Sequence, residues 1–220
     1  DFGSESARGV LIDADTGELL ASAVHPYRHG ILTARLPDGT PLPRGYALQV
    51  ADDYLEAAET ILCAIARGVR VHAIGIGFTA SSPLPATADG KPLSRQMPAE
   101  PHAYVKLWKH AAQPQADAIN ARGGAFLNDF GGRLSGEWLM AKAAETAELA
   151  PAVWARADRY IEAGDWLVWQ LIGAEVRSLG FAAYKAQYTA AAGYPEGVLS
   201  GLTDRLSPPR PIGAAAGQLT

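Results

Sequence analysis

The sequence predicts an α/β fold, with a mixed sheet that opens on antiparallel strands and is flanked by helices. Three observations lead there. A turn-rich cluster separates two short extended runs near the start, and the apolar period then changes to that of a helix over 54–65. An almost continuous apolar run at 71–76, too short for another helix, follows at once.

Val10-Leu11-Ile12 meets the turn cluster Asp13-Ala14-Asp15-Thr16-Gly17, and extended-compatible residues resume at Leu19, which makes a β-hairpin. A second extended stretch, residues 29–36, ends at Pro37-Asp38-Gly39-Thr40, where proline presets φ and glycine supplies the positive φ of a tight turn. Tyr54, Leu55, Ala58, Ile61, Leu62 and Ile65 share one helical face, with Asp52 or Asp53 as N-cap and Gly68 as stop. Cys63 within that helix reads as inert core.

Residues 71–76 suit a central strand covered on both faces and reached by a right-handed crossover. The small polar loop at 78–82 then lies at the C-terminal edge of that strand, where open α/β sheets bind ligands. Asp89-Gly90 signals a hairpin between residues 84–87 and 91–93. The remainder is mostly helical: one helix from Trp138 toward Leu149, a short one opened by Pro151, and one from Asp165 to Leu171 stopped by Gly173.

The chain has 220 residues, 48% of them apolar, which can fill a sizeable core. A charged fraction of 19% and a net charge of −4 exclude a disordered tail, a nucleic-acid footprint and a membrane-surface stripe, and favour small neutral partners. One cysteine permits neither an internal disulfide nor a cysteine-built zinc site and fits a reducing, cytoplasmic setting. No apolar run is long enough to span a bilayer. The start at Asp1, inside a strand-to-loop signal, and the linker-like composition of 207–217 read as a piece of a longer chain.

Asp1-Phe2-Gly3-Ser4-Glu5-Ser6 puts a carboxylate, a flexible glycine and two hydroxyls in one tight turn. Such a turn suits a phosphate with its magnesium ion, because the carboxylate holds hydrated Mg²⁺ and glycine lets backbone N–H groups approach phosphate oxygens. The same pattern also serves ordinary turns. It does not stand alone, however. Thr79-Ala80-Ser81-Ser82, Tyr104-Val105-Lys106-Leu107-Trp108-Lys109-His110, residues 131–138, residues 157–163, residues 165–171 and Tyr184-Lys185-Ala186 follow in this order. Together these motifs resemble the FGGY carbohydrate kinase family over nearly the whole chain, and specifically its N-terminal, sugar-binding half.

The resemblance implies an actin-like, ribonuclease-H-like ATPase domain at 1–206, with 207–220 starting the connection to a second domain of the same ancestry. It implies ATP and Mg²⁺ as cofactors and a sugar and ATP as the small-molecule partners, and it is compatible with a homodimer. On that pattern Asp1 resembles the acidic residue that orients Mg²⁺ through water, and Gly3, Ser4 and Ser6 line the phosphate loop. Ala80 matches the position whose backbone lies against the sugar, Ser81 beside it is a further substrate-binding residue, and Lys185 matches a lysine that hydrogen-bonds the sugar. Trp108 is similar to the tryptophan that walls the pocket, plain core being its other reading; solvated surface is the other reading of Lys185.

Lys109 and His110 read as surface or supporting groups, Glu137 as helix N-terminal electrostatics, and His25, His29, His72 and His102 as structural. Gly77 stands where the family has Asp, Ser81-Ser82 replaces Cys-Thr, and residues 180–183 replace Thr-Ala-Gly. These departures lie around the sugar loops. The reaction implied is ATP-dependent phosphorylation of a ketopentose at a terminal hydroxyl, L-ribulose at O5, with D-ribulose, D-xylulose or a pentitol as alternatives. Its catalytic base would be an Asp beyond Thr220. A non-catalytic sugar-binding module of the same fold is the rival reading.

Overall fold

A computed structural model describes all of residues 1–220. The first hairpin pairs β1 (Ser6–Ile12) with β2 (Leu19–Pro26), antiparallel, around the 13–17 turn. Residues 29–36 form no strand. They hold only single bridges, Leu32 with Leu48 and Arg35 with Pro41, because the turn at 37–40 returns the chain to 41 before a ladder can grow.

Helix α1 (Ala51–Ile65) buries Tyr54, Ala57, Ala58 and Ile61 against that hairpin. Its N-cap is Val50, with no side-chain cap. Asp52 and Asp53 lie inside the first turn, where their charge favours the helix dipole, and each is engaged laterally. Asp53 accepts from His29 N at 2.9 Å and faces its Nδ1 at 2.7 Å, while Asp52 pairs with Arg95. Cys63 is exposed, not core, because it sits nine residues after Tyr54 and therefore half a turn away from the buried face. The hairpin lies so close to α1 that a Cβ at Gly9 would stand 2.2 Å from Ile61 Cγ2.

The expected central strand at 71–76 is absent. The run forms no regular element and is largely exposed, Val71 and Ile74 at 38% and 40%. Parallel pairing reaches only as far as Phe2 and Phe78, and no strand lies beside the residues before it, so neither the ladder nor the crossover onto a sheet forms.

After the 78–82 loop, β4 (Pro83–Ala86) enters the Asp89-Gly90 turn, which closes with Thr87 N–H to Lys91 O at 3.0 Å and positive φ at Gly90. The return arm is one bridge, Ala86 with Pro92, before a 3₁₀ turn at Leu93–Arg95. The true partner of β4 is a strand that no period signal announced, β6 (Arg159–Glu162). Upstream, β3 (Leu48–Gln49) pairs with β5 (Val105–Lys106).

Four helices beyond β5 form the rest: α2 (Gln113–Arg122), α3 (Leu139–Leu149), α4 (Pro151–Arg156) and α5 (Ala163–Ile172), the last stopped by Gly173 at positive φ. A short α6 (Leu179–Lys185) follows, its Ser178 hydroxyl accepting from Gly180 N–H. The two-residue period of β6 places it between two cores. Ile161 belongs to the cluster with Phe2, Tyr54, Leu84 and Trp166, and its neighbour Tyr160 to the cluster with Leu134, Leu139, Met140 and Leu202. The end of the chain folds back, with Arg210 N–H bonded to Arg177 O and Thr220 N–H to Leu171 O. No helix is long and apolar enough to cross a membrane.

Candidate functional site

Three loops meet at one edge of the first core. The turn at 1–6 is closed by Gly3 N–H on Ser6 O at 3.0 Å, and a Cβ at Gly3 would come within 3.3 Å of that oxygen. Phe2 N–H bonds Gly77 O at 2.8 Å and Thr79 N–H bonds Phe2 O at 3.2 Å, which sets the 78–82 loop beside the turn. Beneath it Phe2 and Phe78 stack with ring centroids 5.4 Å apart, and the Tyr54 ring meets both edge-on.

Ser4 is held from two sides. Its carbonyl accepts from Gln49 Nε2 at 2.7 Å, and Gln49 Oε1 accepts from Tyr54 OH at 2.7 Å, a buried chain that ties the turn to β3 and α1. Its hydroxyl accepts from Trp108 Nε1 at 2.9 Å. Trp108 is thus half-buried rather than plain core, and Lys109 Nζ stands 5.9 Å from its ring centre.

Ala80 and Ser81 lie in the second loop, joined by a cis peptide. On either side of Ala80, Thr79 Oγ1 and Ser82 Oγ are buried without a partner. Ser81 is itself buried, its hydroxyl donating to Glu162 Oε1 at 2.8 Å and its carbonyl accepting from Lys142 Nζ at 2.7 Å. Lys185 ends α6 half-buried, its Nζ 5.2 Å from the centre of the exposed Tyr184 ring. Asp1 lies apart. Its carboxylate is 63% exposed, 3.5 Å from the Arg8 guanidinium.

Under these loops runs a buried ionic network. Lys106 Nζ bonds Glu145 and the carbonyl of Lys142, and His110 Nε2 meets Glu145 Oε2 at 2.8 Å. Ala47 N–H donates to His110 Nδ1, so the proton of the neutral ring is on Nε2. Burial would raise the Glu145 carboxyl, yet the hydrogen bond from His110 and the charge of Lys106 bring it down to about 2. Burial lowers Lys106 to about 8 and His102, bonded to Tyr46 OH, to about 3. His110 is therefore buried and not a surface group; Lys142 carried no sequence signal beyond being a charge within an apolar helix, and Glu162 none beyond its place in the 157–163 motif.

No group of three His, Cys, Asp or Glu side chains could hold a metal ion. The Asp1 carboxylate is a lone, exposed donor beside the Arg8 guanidinium, so a hydrated Mg²⁺ there would take its remaining ligands from water and from a bound anion.

The chain matches no protein-family model. Over 244 residues it is 41% identical to a ribulokinase from Mycolicibacterium smegmatis, covering 100% of this chain and 43% of that protein. A ribulokinase from Halalkalibacterium halodurans is 42% identical over 208 residues, 89% of this chain and 37% of that protein. The chain is homologous to the N-terminal part of the ribulokinases. It spans less than half the length of these ribulokinase relatives.

Solved structures give the fold. A xyloylose kinase from Brucella ovis superposes with TM-score 0.80 at 18% identity, over 100% of this chain and 44% of that one. A xylulose kinase from Rhodospirillum rubrum superposes with TM-score 0.74 at 16% identity, over 99% and 43%. The fold of this ribulokinase homologue is that of the actin-like sugar kinases, here mixed α/β with small antiparallel sheets.

Proposed function

We propose that this chain forms the sugar-binding half of an ATP-dependent carbohydrate kinase that phosphorylates a ketopentose at a terminal hydroxyl, L-ribulose at O5. The observation that carries the reading is the hydrogen bond from Trp108 to Ser4, which brings the Trp108 segment and the 1–6 turn together at one edge of the first core. Homology to ribulokinases supports the substrate class. Residues 1–206 are this domain and 207–220 start its connection onward.

In this reading Ala80 presents backbone to the sugar, Trp108 walls it, Lys185 donates a charge-assisted hydrogen bond to a hydroxyl, and Ser81 supports the loop from beneath. Gly3, Ser4 and Ser6 line the phosphates, and Asp1 orients hydrated Mg²⁺. Bound ATP supplies the transferable phosphoryl group and Mg²⁺ neutralises its charge, so the protein's part is positioning and electrostatic stabilisation.

The test is phosphorylation of L-ribulose, D-ribulose, D-xylulose and pentitols by the protein as its gene encodes it, supplied with Mg-ATP. L-Ribulose 5-phosphate is the expected product. Tight pentulose binding without phosphorylation of any of these sugars would replace the kinase reading by the binding module.

A further inference from the structure

Three backbone carbonyls converge on one ammonium. Lys142, fully buried on α3, donates from Nζ to Ser81 O at 2.7 Å, Leu107 O at 2.8 Å and Lys106 O at 3.3 Å. An ammonium has three N–H donors, so all are used. The acceptors come from two loops: Ser81 follows Ala80, and Lys106 and Leu107 lead into Trp108. Glu162 completes the seat, accepting from Ser81 Oγ at 2.8 Å and from Ser82 N–H at 2.7 Å.

A buried ammonium costs free energy unless hydrogen bonds and opposite charge offset it. Joining two loops by packing alone would need only an apolar side chain of similar length. What the ammonium adds is a fixed geometry. It holds three carbonyls at defined distances, and these carbonyls set how far the Ala80 loop stands from Trp108. The charges around it are Glu162 on β6, Lys106 on β5, Lys185 on α6 and Glu137 ahead of α3.

We propose that Lys142, backed by Glu162, is a positioning residue for the sugar, its ammonium setting the separation of the Ala80 loop from Trp108 and so the width of the pentulose pocket. This rests on the sugar-site reading above. It adds two residues that do not touch the sugar and a determinant of which pentulose fits.

The test uses the protein as its gene encodes it, with Lys142→Met, Lys142→Arg and Glu162→Gln, L-ribulose and Mg-ATP varied separately, and thermal melts alongside. Lys142→Met is expected to raise KM for L-ribulose at least tenfold while KM for ATP stays within twofold. Lys142→Arg should recover part of that loss, and Glu162→Gln should raise the sugar KM about three- to tenfold. A merely structural role would lower Tm and the active fraction but leave the sugar KM unmoved. Parental sugar KM in a folded variant, or a parallel rise in both KM values, overturns the proposal; if Lys142→Met does not fold, Glu162→Gln decides by the same criteria. If the parent binds L-ribulose without phosphorylating it, the same fold-changes are read in Kd by calorimetry, and the kinase reading fails alone. If the parent neither phosphorylates nor binds L-ribulose, both fall.

Discussion

Trp108 Nε1–H donates to Ser4 Oγ at 2.9 Å, a bond between residues 104 positions apart in sequence. An indole N–H in a half-buried wall needs such a partner to keep the ring in one orientation. Trp108→Phe keeps an aromatic face and removes the bond, whose net worth is about 1 kcal/mol. The expected outcome is a rise of roughly fivefold in KM for L-ribulose, with ATP affinity little changed. Ser4→Ala should also disturb the nucleotide side; an ATP KM equal to the parent's would remove Ser4 from the phosphate loop.

Lys185→Ala should weaken sugar use with little effect on ATP, because a hydrogen bond from a charged donor contributes roughly 1.5–3 kcal/mol. Steady-state kinetics with L-ribulose as the varied substrate reads this directly. Unchanged KM and kcat for the sugar would take Lys185 out of the site.

Asp1→Asn loses a charge and keeps the shape. Turnover should drop severely and the Mg²⁺ concentration for half-activity should rise, with sugar binding nearly intact. Turnover within a few-fold of the parent would contradict the assignment of Asp1 to the magnesium ion.

Gly9→Ala would set a Cβ 2.2 Å from Ile61 Cγ2 and 3.1 Å from Ile65 Cδ1. Overpacking of this kind costs about 1–3 kcal/mol. Urea melts should show the loss, and a midpoint equal to the parent's would mean that the hairpin can slide on α1 without strain.

His102 gives the fold an acid sensitivity. Burial lowers its pKa from 6.5 to about 3, so the unfolded chain binds the proton first as pH falls. Stability contributed by the neutral ring is complete above pH 6.5 and declines below it, by at most about 1.4 kcal/mol per pH unit. Glu145, held at about 2, adds a loss of the same sign only below its ordinary 4.5. In urea melts between pH 6.5 and 4.5, His102→Asn should therefore show a flatter decline than the parent. An identical slope would show that the ring is already charged in the folded protein.

The first hairpin, α1, α3, α4 and α5 were legible because each writes its own period or stop signal into contiguous residues, Tyr54, Ala58 and Ile61 being the plainest case. Cys63 is exposed although its helix is apolar, because membership of an apolar helix says nothing about which side faces out. β6 escaped notice because four residues are too few to establish a period, and α6 because Gly180 weakens its helical propensity. At the site, the chemistry-bearing loops stood out by motif. The parts played by Lys142 and by Glu162, which lies within the 157–163 motif, did not, since what defines them is contact with carbonyls and amides up to 80 positions away, which no local pattern encodes.

Residues 71–76 carry β-branched and apolar side chains, are largely exposed and have no strand beside them. Open N–H and C=O groups along such a run form a template on which another chain can add a strand. A strand added there would cover Val71 and Ile74, and the exposed charges of Arg67 and Arg70 just before the run disfavour indiscriminate pairing.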